Sequence, residues 1–193
     1  MADLTPSPDY ALKEWAVLCQ GLAEGRHILL LRKGGIAEPE GGFRMQRPRF
    51  WLYPTFVHQQ DEGLSDAMRP LLARVRGNAP SPGSVCLRHI AEVALIQRSE
   101  NLEQILSLEG YHGLSQQTVR SRFDYREPGL FLLALRVYRA DRDILIPEAA
   151  EYAGCKSWVK LSPTPSAPNL HPVLDNLEFE KSLAILQERL ANS

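Results

Sequence analysis

From Val85 to Arg98 the side chains alternate. Val85, Leu87, Ala91, Val93 and Leu95 fall on one side of an extended chain, and Arg88, Glu92 and Arg98 fall on the other. A period of two excludes a helix, and a strand of this length does not stay flat. It predicts a strand bent around a barrel. The rest of the chain must be arranged about it.

Local signals supply the neighbours. Ser7-Pro8-Asp9 reads as a helix opening, with Leu12, Trp15, Ala16, Cys19 and Leu22 at helical spacing as far as Ala23. Residues 26–33 read as a strand, 34–48 as a glycine- and arginine-rich loop, and Phe50 to Val57 as a second strand. Pro54 inside that strand asks for an edge, a bulge or an early end. Residues 64–76 read as a helix that starts late or kinks at Pro70, and Gly77 to Gly83 as a loop. Ser99 with Asn101, and then Ser115, offer caps for two short helices. Leu130 to Arg139 reads as a central strand, followed by shorter ones at Ile144 to Ile146 and Lys156 to Leu161. Prolines 163, 165, 168 and 172 mark a linker. Asp175 and Glu178 then form a capping box for a last helix with the stripe Phe179, Leu183, Leu186 and Leu190. Strands and helices do not alternate regularly, which disfavours a doubly wound parallel sheet. The expectation is an α+β chain: a mixed, mostly antiparallel barrel with flanking helices and a C-terminal helix. Residues 1–162 form one domain, and 163–193 the linker and amphipathic helix.

Charge and cysteines narrow the function classes. The net charge is −1, so no global basic field draws in nucleic acid. Of 22 cations, 17 are Arg, the side chain that forks onto phosphate and stacks on rings, although a GC-rich coding bias produces the same excess. Cys19, Cys86 and Cys155 are odd in number and form no CxxC pair, so free thiols in a reducing compartment are expected, with no metal or cofactor. The start of the chain lacks an apolar signal core. The longest apolar run, Leu130 to Leu135, falls far short of the ~20 residues of a membrane helix. A cytoplasmic protein without a membrane partner is expected.

Two alternating segments set cations beside rings. Arg49, Trp51 and Tyr53 share one side of their strand, as do Lys156, Trp158 and Lys160. A ring flanked by cations can stack a base while its neighbours hold phosphates. The same Trp also reads as core with snorkelling neighbours. Arg32, Lys33 and Arg47 border the glycine-rich loop, and His58 closes the aromatic strand beside Asp61. The candidate nucleic-acid-binding set is therefore Arg32, Lys33, Arg47, Arg49, Trp51, Tyr53, His58, Lys156 and Trp158. Cys86 and His89 are three apart, which on a regular strand puts them on opposite faces and rules out joint chelation. No catalytic set is assigned. For a nuclease, Asp141, Asp143 and Glu148 near Lys156 are the best acidic group.

Three blocks carry a family resemblance: Ala11 to Ile36, Phe50 to Gln59, and Arg122 to Arg139 followed by Gly154 to Leu161. Together they resemble the domain-of-unknown-function family numbered 1802, common in cyanobacteria. Some members are associated with a restriction-endonuclease-like domain, which implies a stand-alone accessory or binding module here. A weaker resemblance concerns fold. Gly25 to Arg32 sits where the ASCH group of PUA-like domains carries Gly-x-Lys-x-x-Glu-x-Arg. Only Gly25 and Arg32 match, with His27 and Leu30 at the lysine and glutamate positions, so ASCH catalysis is not carried over. Phe50 to His58 and Ile90 to Val93 look like a strand pair of EVE domains, PUA-like modules implicated in reading modified bases. These resemblances imply a PUA-like barrel and a DNA or RNA partner, as a modified-base reader or restriction–modification accessory. The alternatives are a metal-dependent nuclease or hydrolase, and a protein-interaction module that uses its C-terminal helix.

Overall fold

The structure, a computed structural model, describes residues 7–34, 48–57, 59–154, 156–167 and 169–191. In chain order its elements are β1 (Tyr10–Trp15), α1 (Ala16–Ala23), β2 (Leu29–Arg32), β3 (Arg49–Thr55), α2 (Arg69–Gly77) and β4 (Ser84–Ser99). They continue as α3 (Leu102–Leu106), α4 (Gln116–Asp124), β5 (Leu130–Pro147), β6 (Trp158–Lys160), β7 (Leu170–Pro172) and α5 (Asn176–Ala191). The candidates Arg47 and His58 lie outside the described residues.

β4 is the alternating segment, and it pairs antiparallel with β5 from Ser84–Pro147 to Ser99–Leu130. Around that ladder the strands run β2-β5-β4-β3-β1-β6, with β7 also beside β5. Every pair is antiparallel except β1 with β3. The result is the mixed, mostly antiparallel sheet the sequence predicts, curled into a half-barrel and flanked by helices. Both its faces are covered. One face, with Leu12, Phe50, Leu52 and Leu132, packs against apolar residues of all five helices. The other, with Ala11, Trp51, Tyr53 and Leu87, packs against Tyr152, Val159 and Leu161. Each fully buried Leu or Phe contributes about 1.5–3 kcal/mol.

The first element departs from its helical pattern. Tyr10–Trp15 is a strand, and only Ala16–Ala23 is helical. The strand has ladder partners on both sides: Ala11 to Trp15 pair with Trp51 to Thr55, and Tyr10 to Leu12 pair with Trp158 to Lys160. Sheet hydrogen bonds on both edges outweigh a helical spacing worth tenths of a kcal/mol per residue. The strands expected at 130–139 and 144–146 are one continuous element, β5.

The Ser7 cap opens no helix, but the three later caps are where the sequence places them. Asn101 Oδ1 accepts from the Gln104 amide at 3.1 Å, and Ser115 Oγ accepts from the Thr118 amide at 3.3 Å. Asp175 and Glu178 exchange both bonds of a capping box, at 2.8 and 3.1 Å. The helix they open is held to the body. Phe179, Leu186 and Leu190 are buried in the main core, and Gln104 Nε2 donates to the Leu190 carbonyl at 2.9 Å. A partner-binding role for α5 needed that stripe exposed, and the fold consumes it. The proline-rich segment before it includes β7. No helix among the described residues is long and apolar enough to cross a membrane.

Three histidines are buried among the described residues, and two of them, His27 and His112, make the main core acid-sensitive. His27 Nδ1 donates to the Leu29 carbonyl at 3.2 Å, and His112 Nδ1 accepts from the Leu114 amide at 3.2 Å. The Nε2 atoms of both are buried without a partner among the described residues. Burial, with His112 opposing His27, pushes the His27 imidazole down to about 4, and burial, with Arg122 nearby, does the same to His112. The unfolded chain binds protons near pH 6.5 and the fold refuses them until about pH 4. Between those values stability therefore falls as pH falls, by ~1.4 kcal/mol per pH unit for each imidazole. Urea unfolding at stepped pH should show that loss, and His112→Gln should flatten it by one proton. An unchanged slope in the variant contradicts this assignment.

Candidate functional site

The C-terminal ends of β1, β2 and β3 surround an open cleft of about 1440 Å³. β1 contributes Lys13, Glu14 and Trp15, and β2 contributes Arg32 followed by Lys33. The opposite side is built by Arg122 of α4 and the turn after it, which carries Tyr125 and Arg126. Lys156 borders it from the segment before β6. Among the described residues seven Lys and Arg side chains border the cleft, against three glutamates. The net charge of −1 thus conceals a local excess of positive charge.

A buried carboxylate organises this surface. Glu14 is 4% exposed. Its Oε2 accepts from Arg32 Nη1 at 2.7 Å, and its Oε1 accepts from the Trp15 amide at 2.9 Å. The same Arg32 nitrogen donates to the Lys13 carbonyl at 2.9 Å. Burial alone would raise the Glu14 pKa. The positive charges of Arg32 and then Arg122 outweigh it and hold the carboxyl below its usual range. Arg122 donates to the Leu31 carbonyl at 3.0 Å and lies 5.0 Å over the Trp15 ring. Trp15 therefore enters the cleft already backed by a cation.

The rim is held by Lys33. Its ammonium donates to the carbonyls of Phe123 (2.7 Å), Glu127 and Gly129 (3.1 Å), so one side chain ties down the whole turn from 124 to 129. At the tip Tyr125 is 58% exposed, with the Arg126 guanidinium 5.1 Å from its ring. Arg126 has φ +64°, unusual for a residue other than glycine and costing ~1–3 kcal/mol. Such backbone persists where its surroundings over-determine it, and Lys33 supplies that determination.

The sequence-predicted set divides. Arg32, Lys33, Tyr53 and Lys156 meet at the cleft. Arg49 pairs with Glu92 at 3.2 Å, away from it. Trp51 is fully buried in the second apolar cluster and offers no face to a base. Trp158 packs edge-on against Phe50, centroids 4.9 Å apart, on the other side of the sheet from Trp51. The registers explain the separation: Trp158 stands opposite Leu12 and Leu12 opposite Leu52, whereas Trp51 stands opposite Ala11 and Ala11 opposite Val159. The two cation–ring faces are therefore not one surface. The residues that complete the site, Lys13, Trp15, Arg122, Tyr125 and Arg126, carried no site signal in the sequence reading. Lys13 and Trp15 fall within a helical spacing, and the Tyr125-Arg126 pair ahead of Pro128-Gly129 is the local clue to the turn.

The acidic nuclease group does not assemble. Asp143 is engaged by Arg88 at 2.8 Å and Arg139 at 3.5 Å, Asp141 accepts from Asn169 at 3.3 Å, and Glu148 borders the cleft. No three His, Cys, Asp or Glu among the described residues are placed to hold a metal ion.

Comparison with known proteins gives two findings. A family model described as "Domain of unknown function (DUF1802)" matches residues 11–184. The chain is similar to the crystal structure of ASCH from Zymomonas mobilis, at 16% identity and a TM-score of 0.48, over 91% of this chain and 94% of that one. A point mutant of the same Zymomonas mobilis protein is 15% identical, with a TM-score of 0.46, over 91% and 96%. No curated protein sequence matches.

Removing the buried carboxylate should be costly, because it leaves Arg32 and Arg122 without their counter-charge. Glu14→Gln should lower the unfolding free energy by about 3–5 kcal/mol in a urea titration. A loss under ~1 kcal/mol, the worth of a surface pair, would show that the ion pair is not structural.

Proposed function

The chain belongs to the DUF1802 family, and from the geometry of its cleft we propose that it binds single-stranded nucleic acid. The observation that carries this reading is the pairing of rings with cations around one positive cleft. Arg122 lies over the ring of Trp15 from β1, and Arg126 lies over the ring of Tyr125 in the turn after α4. Aromatic faces take unstacked bases, which a single strand presents and a duplex does not. Among the described residues Lys13, Lys33 and Lys156 donate to neutral backbone carbonyls and form no ion pair, which leaves their charge available to phosphates.

The finer role we propose is a reader of a modified base, working as an accessory to restriction–modification. Its support is the restriction-endonuclease-like domain associated with some family members. A second support is Tyr53, a buried residue at the border of the cleft whose buried hydroxyl has no partner among the described residues. Equal affinity for modified and plain strands would remove that role and leave strand binding intact.

Fluorescence anisotropy with labelled single-stranded DNA and RNA tests the main reading. Affinity should fall steeply with salt, with a slope of about −0.7 per neutralised phosphate, and Arg126→Ala should reduce the magnitude of that slope by about 0.7. Tyr125→Ala should cost about 1–3 kcal/mol of binding, the worth of one stacked base, while leaving the thermal midpoint within a few degrees. No binding to any strand at low salt would refute the proposal.

A further inference from the structure

The other face of the β3–β4 ladder holds a second pocket, of about 470 Å³, which the nucleic-acid reading leaves unused. Among the described residues Pro54 and Phe56 border both it and the main cleft. A break in strand pairing builds it. Leu87 stands opposite Ile144, yet His89 stands opposite Arg139, so β5 carries extra residues between the two positions. Bulges of this kind re-aim side chains and recur beside binding sites. Here the shift brings Cys86 and His89, which a regular strand would put on opposite faces, to the border of one pocket.

The electrostatics of this pocket are unbalanced. Arg88 and Arg139 share the single carboxylate of Asp143, at 2.8 and 3.5 Å. Arg74 of α2 reaches Glu24, which Arg26 also engages. All three bordering guanidiniums are at least 38% exposed in their side chains. His89, 9% exposed, borders the same pocket. Burial, then the positive charges of Arg139 and Arg88, push its imidazole down to about 4, against the weaker pull of Asp143. The groups facing the ring from all sides therefore sum to positive.

We propose that this pocket binds the phosphate of an organic phosphate monoester. Guanidinium forks grip a tetrahedral dianion from several directions. The donors here come from three elements: Arg88 and His89 from β4, Arg139 from β5 and Arg74 from α2. Leu52, Pro54, Phe56 and Val75 also border the pocket and supply apolar surface for the organic group. Filling the site gives His89 an acceptor and Arg139 a closer counter-charge than Asp143 provides.

The test is an NMR titration of the histidine ring protons at pH 6.5 and constant ionic strength, with the His89 signal assigned through His89→Gln. The probes are inorganic phosphate, phenyl phosphate, and a 5′-phosphorylated oligonucleotide beside its 5′-hydroxyl twin. Phenyl phosphate should shift the His89 signal saturably and bind more tightly than inorganic phosphate. Arg139→Gln, an exposed position, should weaken it at least about tenfold, the scale of one charge-assisted hydrogen bond. Arg126→Gln, in the main cleft, should leave it unchanged. If the phosphorylated oligonucleotide outbinds its twin only when Arg139 is present, the monoester is a strand end. If the twins bind equally while phenyl phosphate saturates, it is a free small molecule. No saturable shift of His89, or a shift that survives Arg139→Gln, overturns the proposal.

Discussion

The fold depends on a clasp. β2 stands at one end of the strand order and β1 next to the other, so nothing in the ladder joins them. Arg32, the last residue of β2, crosses that gap to the Glu14 carboxylate and the Lys13 carbonyl of β1. The sheet can curl because both its faces are apolar, and the clasp sets how far it curls. An ion pair this buried gives little net stability compared with a hydrophobic replacement, since desolvation offsets most of its attraction. What it supplies is position. The same two residues fix Trp15 and, through Arg122, the far side of the cleft.

Local chemistry was legible in the sequence. The extended run of β4, the Asn101 and Ser115 caps, and the Asp175–Glu178 box each depend on a few neighbouring residues, and each stands where the pattern placed it. The bulge after Leu87 nevertheless splits the alternating set, with Val85 and Leu87 on one face and Ala91, Val93 and Leu95 on the other. What depends on a partner strand was not legible. Tyr10–Trp15 carries a helical spacing of apolar residues, and only β3 and β6 beside it make it a strand. That one misassignment hid Lys13, Glu14 and Trp15, and with them the organising part of the site. The bulge between Leu87 and His89 is likewise a property of two strands together. The reading of Trp51 failed for a related reason: alternation reveals that a strand has two faces but not that both are buried.

The arginine excess gains a structural meaning from this arrangement. Arg32 and Arg122 serve inside the protein, where one guanidinium satisfies a carboxylate and a carbonyl and the other a carbonyl and a ring. Arg126 and Arg139 are at the surface, one in each pocket. The lysines of the main cleft hold carbonyls: Lys13 those of Tyr152 and Gly154, Lys33 those of the 124–129 turn. A compact ammonium with three donors suits that task. The rim is therefore built by the residues that give it its charge, and one change in either alters both.

The central claim is that a single strand lies between Trp15 and Tyr125. Photo-crosslinking tests it most directly, with an oligonucleotide carrying 4-thiouridine at successive positions, digestion, and mapping of the adducts by mass spectrometry. The account predicts adducts on the peptides that contain Trp15 and Tyr125, suppressed by high salt. Adducts confined to peptides of α5 or α2, under conditions where the strand is bound, would contradict it.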